Sequence, residues 1–286
     1  MDISNLTYDV ELGKVENSSF LSAFKNCSGP VPPKSWTLTC NLEDIHTTWE
    51  WRAQALNLIV GYFESKLSIP PLTQLCLQIL LSFPSAEFAH DIVPFLPPHL
   101  RHDLIRYAAI YAPLPDSKLY ALCERDGHAG GDLIVVGPQA TLRDDYFIRN
   151  GRPSHSNDVT ADWDSDKSTP EPLCTLILMS TPVAISTVLT LPPTITHMAL
   201  INLPTPIALH RLPGICPLLE VLDLSYNIWL GLTSADAPKR LNRVEWNRWN
   251  NLRVLGMREC VVSEEMLRKL NQGRWDDVEI VEKSDE

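Results

Sequence analysis

The chain has 286 residues, 44% of them hydrophobic and 21% charged, enough apolar material for a substantial core and one or two domains. Its net charge of −11 argues against a nucleic-acid or anionic-membrane partner, since phosphate binding needs a basic face. No apolar run reaches the roughly eighteen residues that span a bilayer. The start, Met1-Asp2-Ile3-Ser4, has no basic stretch followed by an apolar one, so an intracellular protein, cytoplasmic or nuclear, is expected.

In chain order, residues 1–40 are mixed in character and punctuated by Pro30, Pro32 and Pro33, and they give no clear element. Residues 41–125 read as an all-helical module. Asn41 is placed to cap a first helix, with Glu43 and Asp44 in the first turn, where the helix dipole favours acids. Trp49, Ala53, Leu56, Ile59, Val60 and Phe63 continue it at three- and four-residue spacing to about Leu67. Pro70 and Pro71 break it, and Pro71 can start the next helix. That second helix carries Leu72, Leu75, Cys76, Ile79 and Leu80 as a wide apolar stripe. A third segment begins at Leu96-Pro97-Pro98 and runs through Leu100, Leu104, Ile105 and Ala108, and a short fourth covers about Ser117 to Arg125.

Residues 126–172 hold one short buried strand, Leu133 to Val136, after Gly130-Gly131, then a polar Ser/Asp/Pro/Asn-rich loop over 149–172. From 173 onward one pattern repeats: apolar, two positions, apolar, one position, apolar. It occurs as Leu173-Leu176-Leu178, Ile195-Met198-Leu200, Leu219-Leu222-Leu224 and Leu252-Leu255-Met257, with a degenerate fifth copy at Trp275-Val278-Ile280. The starts lie 22, 24, 33 and 23 residues apart, so the long interval holds one insertion of about ten residues. A period in the twenties marks a solenoid whose units bury apolar ridges against their neighbours and present a binding surface. Ser263 to Leu270 reads as a helix on the convex side, and the Trp246–Trp249 pair as packing that closes the outside. Glu282 to Glu286 is a charged tail within the 173–286 repeat region.

Leu219-x-x-Leu222-x-Leu224-x-x-Asn227 resembles the leucine-rich repeat, and Leu252-x-x-Leu255-x-Met257-x-x-Cys260 its cysteine variant. The resemblance implies an α/β leucine-rich-repeat solenoid in which the Asn or Cys satisfies backbone groups at the turn. It also implies an outward concave row: Ile177 and Met179, Ala199 and Ile201, Asp223 and Ser225, Gly256 and Arg258, then Glu279. The partner-binding surface expected from it is Ile201, Asp223, Ser225, Tyr226 and Arg258.

Pro71-Leu72-x-x-x-Cys76-x-x-x-Leu80 resembles the elongin-binding box, and Leu96-Pro97-x-x-Leu100-x-x-x-Leu104 resembles the cullin box that follows it in that family. Leucine-rich-repeat substrate receptors of cullin ubiquitin ligases join these elements to a solenoid. The same Leu96-Pro97-Pro98-His99-Leu100 start, with Ile105, Tyr107, Leu119 and Leu122-Cys123 downstream, is similar to an F-box, although its core Trp is missing. Either resemblance implies a non-catalytic substrate receptor, docked to elongin C or to the Skp adaptor and a cullin through Leu72, Cys76, Leu80, Leu96, Pro97 and Leu100. The alternative is a repeat scaffold whose helices only cap the solenoid.

Catalytic readings find little support. The seven cysteines are scattered singly without a Cys-x-x-Cys pair, as suits reduced thiols. Cys76 lies mid-stripe on an apolar helix, His99 and His102 lack a third metal ligand, and Asp162-x-Asp164-x-Asp166 is followed by Lys167 where a calcium loop needs glycine. No nucleophile motif, cofactor or metal is expected.

Overall fold

The computed structural model describes residues 42–61, 72–123, 127–150 and 171–282. The chain divides into two compact units, Met1–Ile45 and His46–Glu286, and the architecture below is that of the second. It is a mixed α/β fold built on a six-stranded, wholly parallel sheet whose strands lie in chain order. The strands are β1 (Asp132–Val136), β2 (Thr175–Met179), β3 (His197–Ile201), β4 (Val221–Asp223), β5 (Val254–Gly256) and β6 (Glu279–Val281).

Leu133, Leu176, Met198, Leu222, Leu255 and Ile280 stand at one level across the sheet, and Val135, Leu178 and Leu200 at the next. Two of the expected boundaries shift. The strand at 133–136, read from sequence as separate from the repeats, is the first strand of the sheet. At the other end Ile280, not Val278, stands opposite Leu255, and Trp275 is fully exposed at 103%. A slip of two residues leaves every side chain on its own face, so apolar spacing alone does not fix that register.

The connections after β3 and β5 carry short helices on the ridge side. α9 (Glu264–Asn271) begins where Ser263 Oγ accepts from Met266 N at 3.2 Å, with Glu264 and Glu265 in its first turn and Arg268 and Lys269 in its last. Met266 and Leu270 are its buried residues, in keeping with the periodicity. Trp246 and Trp249 are buried and each satisfies its indole N–H, on Leu241 O at 3.0 Å and on Cys216 O at 2.8 Å. They serve packing, as expected, but inside the fold rather than closing its outside. The remaining helices in chain order before α9 are α1 (Leu42–Val60), α2 (Leu72–Ser82), α3 (Pro98–Tyr111), α4 (Asp116–Cys123), α5 (Tyr146–Asn150), α6 (Ile185–Leu189), α7 (Leu212–Ile215) and α8 (Ala237–Asn242).

α1 ends at Val60, where Gly61 adopts φ of 74°, earlier than the Leu67 read from spacing. Phe63 and Pro71 lie outside the described residues. Between α2 and α3 runs a helical stretch that periodicity missed: Ser85–Glu87, a π-turn at Phe88–Ile92 and a 3-10 turn at Val93–Phe95. Pro98 opens α3 at the position where a missing N–H costs nothing.

Strands β1 and β2 are buried at every residue, so both faces of the sheet are covered there. α3 packs on β1, and Asp132 at the strand's start holds it. One Asp132 carboxylate oxygen accepts from Arg106 Nε at 2.6 Å and lies 3.1 Å from His102 Nε2.

Just past β1, Gly137 N donates to Met179 O at 2.8 Å, so the two backbones run in contact. A Cβ at Gly137 would collide with the Ser180 carbonyl group, with the carbonyl carbon at 2.8 Å and Thr181 Cα at 3.2 Å. Both obstacles are on backbone. Gly137→Ala is therefore expected to destabilise by roughly 1–3 kcal/mol, read as a lower urea midpoint at unchanged slope. An unchanged midpoint would mean the two backbones part at no cost.

Candidate functional site

The row of strand residues expected to face outward is not open. Ile177, Met179, Ala199, Ile201, Asp223 and Ser225 are all buried, Tyr226 and Arg258 are half-buried, and Glu279 is exposed. The chain's own helices cover this face. Trp51 of α1 meets Tyr226 edge-on at 5.8 Å between ring centroids, and Arg258 Nη1 donates to the Gln54 carbonyl at 2.7 Å. α1 is in turn fixed to α3 by Arg52 Nε donating to Ile110 O at 2.7 Å and by Trp49 against Tyr111. Ile201, Asp223 and Ser225 thus fail as solvent-facing positions, and α1 lies against the neighbouring Tyr226 and Arg258. One signal in the sequence foretold this. α1 carries Ala55 and Trp51 off the Trp49–Ala53–Leu56–Val60 stripe, and a helix apolar on two sides packs on two sides.

Asp223 is the exceptional residue under that cover. Its Oδ1 accepts from Ser225 N at 2.9 Å, while its Oδ2 is buried with no hydrogen-bond partner. It packs against Gly256 of the next strand, which has no Cβ to obstruct it. Burial raises its pKa above the ordinary aspartate range, opposed in part by the Ser225 hydrogen bonds and by Arg258. The folded protein then holds a proton that the unfolded chain releases near pH 4, so stability falls as pH rises through the interval between the two values. Asp223→Asn removes that loss. The variant is expected to melt higher than the parent at pH 7, with the gap closing below about pH 4. An equal gap at both pH values would rule out the buried charge as its cause.

Asn227 and Cys260 perform the turn role inferred for them. Asn227, fully buried, donates from Nδ2 to Leu200 O at 2.7 Å and to Leu224 O at 2.6 Å, and its Oδ1 accepts from Leu203 N at 2.8 Å. It ties the turn after β4 to the turn after β3. One unit later Cys260 Sγ reaches Leu224 O at 3.2 Å.

The six expected adaptor contacts separate into two groups. Leu72 is 77% exposed, Cys76 is exposed, and Ile79 is 60% exposed. With Leu80 half-buried beside them, they form an apolar stripe along the free side of α2. The opposite side is anchored: Leu77 is buried, Gln78 Nε2 bonds Tyr107 Oη at 2.7 Å, and Lys118 Nζ donates to Leu81 O at 2.7 Å. Leu96, by contrast, is in the core, and its carbonyl accepts from Arg101 Nε at 2.9 Å. Pro97 is exposed and Leu100 half-buried. Ile105, Tyr107, Leu119, Leu122 and Cys123 of the F-box-like pattern are also core residues.

Two adjoining cavities open at the C-terminal ends of β3 and β4, of about 490 and 600 Å³. They share Asn202, Ile228 and Thr233, and the long β4–β5 insertion supplies exposed Ile228 and Leu232 to the rim. Ligands commonly bind at this end of parallel strands.

Three of the thiols are poorly suited to nucleophilic chemistry. Burial pushes Cys123 and Cys216 up to about 12 and Cys260 up to about 11, so none of the three forms thiolate near neutrality. His102 is engaged with Asp103 and Asp132, and among the described residues no group of three His, Cys, Asp or Glu is arranged to hold a metal. Asp162, Asp164 and Asp166 lie outside the described residues. No described helix is long and apolar enough to cross a membrane.

No protein-family model, curated protein or solved structure matches this chain.

Proposed function

We propose that the sheet and its ridge-side helices are a leucine-rich-repeat solenoid, and that the protein is a non-catalytic substrate receptor of a cullin ubiquitin ligase. In this reading the docking element is α2. The observation that carries it is the stripe of Leu72, Cys76 and Ile79, left bare on a helix whose other side is fastened by Leu77, Gln78 and Lys118. A contiguous exposed apolar strip on a fixed helix fits helix-in-groove recognition. The repeat assignment draws support from Asn227 and Cys260, whose bonds join successive turns at the position the motif gives them.

Capping and docking fall to different helices here. α1 and α3 cover the sheet as a cap does, while α2 turns its stripe outward. Because Leu119, Leu122 and Cys123 of the F-box-like pattern are inaccessible while Leu72 and Cys76 are exposed, the elongin-type adaptor is favoured over the Skp adaptor. The surface left for a protein substrate is the rim around Ile228 and Leu232 rather than the covered concave row.

The test is a pull-down of the full chain with purified elongin B/C and, separately, with the Skp adaptor. Capture of elongin B/C supports the receptor reading. Capture of the Skp adaptor alone would move the docking element off α2. Capture of neither leaves the scaffold reading, in which the helices only cap.

A further inference from the structure

On the ridge side, away from α2 and the rim, a concavity of about 210 Å³ lies between the segment Pro206–His210 and the two arginines Arg240 and Arg243. Arg240 is on α8 and Arg243 is its C-terminal cap residue, three positions apart and so on one face of the helix. His210 faces them from the 3-10 turn Leu209–Arg211, which packs against α8.

The acids nearby are engaged elsewhere. Asp236 pairs with Lys239, Glu245 with Arg248, and Glu265 with Lys269 and Asn242. Among the described residues neither Arg240 nor Arg243 has an acidic partner. In addition, Arg240 Nε is buried with no hydrogen-bond acceptor at all. A chain of net charge −11 thus gathers two unpaired guanidinium groups and an imidazole around one small concavity. Like charges on one helix face repel, and a buried guanidinium N–H without an acceptor is costly. One anion with several oxygens, set between the two guanidinium groups, relieves the repulsion.

We propose that this concavity binds a single phosphate monoester group, with Arg240 and Arg243 as its ligands and His210 as a third donor. Guanidinium forks match carboxylate and phosphate alike, but three donor side chains suit a group with three terminal oxygens and two charges better than a carboxylate. The strong overall negative charge works against a polyanion such as nucleic acid or an anionic membrane, whose remaining charges would meet repulsion. The proposal does not depend on the receptor reading.

The experiment is calorimetric titration of the full chain at constant ionic strength. The probes are inorganic phosphate, glucose 6-phosphate, and a capped Gly-phosphoserine-Gly peptide, with the same peptide carrying glutamate as the carboxylate control. All three phosphate probes are expected to bind, with the glutamate peptide at least about tenfold weaker. Tighter binding of the peptide identifies a phosphorylated protein as the source, and tighter binding of the sugar phosphate a metabolite. Arg240→Gln and Arg243→Gln should each weaken binding by about ten- to a hundredfold. Arg268→Gln, an exposed residue on α9, removes the same charge and should leave it unchanged. Arg243 is itself exposed, so its variant keeps the fold and carries the test should Arg240→Gln lower stability. No binding by any phosphate probe, retained binding in both arginine variants, or equal weakening by Arg268→Gln would overturn the proposal.

Discussion

Replacing Asn227 by alanine is expected to lower the melting temperature by roughly 10 °C. Its side chain closes three hydrogen bonds on backbone groups of two successive units, to Leu200 O, Leu224 O and Leu203 N. Removing it strands the Leu200 carbonyl and the Leu203 N–H in a region from which water is excluded, and leaves the Leu224 carbonyl with only the weak Cys260 thiol. Each stranded group costs about 1–3 kcal/mol, so a total of roughly 3 kcal/mol or more follows. For a cooperative unit of this size each kcal/mol is worth about 2–4 °C. Cys260→Ala makes the comparison, since it removes only one weak sulfur contact and should cost about 1 kcal/mol. Equal melting temperatures for the parent and Asn227→Ala would mean that Asn227 does not join the units.

Leu72→Asp is expected to cut adaptor affinity by about a hundredfold while leaving the melting curve in place. A central apolar anchor of a helix-in-groove contact contributes about 2–4 kcal/mol, and a carboxylate there must also be desolvated. Leu72 is 77% exposed in the free chain, so the substitution removes almost no internal packing, and surface changes of this kind shift stability by about 0.5 kcal/mol or less. Leu77→Asp on the same helix provides the contrast. Leu77 is buried, so that variant loses the fold itself. Cys76→Phe should also block docking, because a large ring on the stripe holds a partner helix away. Affinities measured by surface plasmon resonance, set beside thermal melts, separate the two classes of variant. Unaltered adaptor binding by Leu72→Asp would remove α2 from the interface.

The strands were readable because buried strands with a fixed partner carry a fixed apolar spacing, and Leu176, Met198, Leu222 and Leu255 stand level as that spacing requires. The first strand escaped the pattern because a long polar segment separates Leu133 from Leu176, although the two stand at one level. The last was misaligned because Val278 and Ile280 share a face, and both satisfy an apolar rule. The covered concave face was the larger surprise. Local pattern says which residues are strand, but the contacts on Tyr226 and Arg258 come from Trp51 and Gln54, far earlier in the chain. Long-range docking of that kind leaves only an indirect trace, the apolar residues on two sides of α1.

The adaptor site divides for a similar reason. Leu72 and Leu96 are both leucines in helix-start motifs. Leu72 is left bare on α2, whereas Leu96 is packed into the core and holds Arg101 through its carbonyl. The arginine concavity had no sequence signal beyond i, i+3 spacing, because His210 reaches it from a separate unit.

The most direct test of the receptor account is amide hydrogen exchange on the full chain, alone and with saturating elongin B/C. The expected result is slowed exchange confined to α2, Leu72–Ser82, and its immediate neighbours, with the strands from β1 to β6 unaltered. Unaltered exchange across α2 in the presence of the adaptor would contradict it.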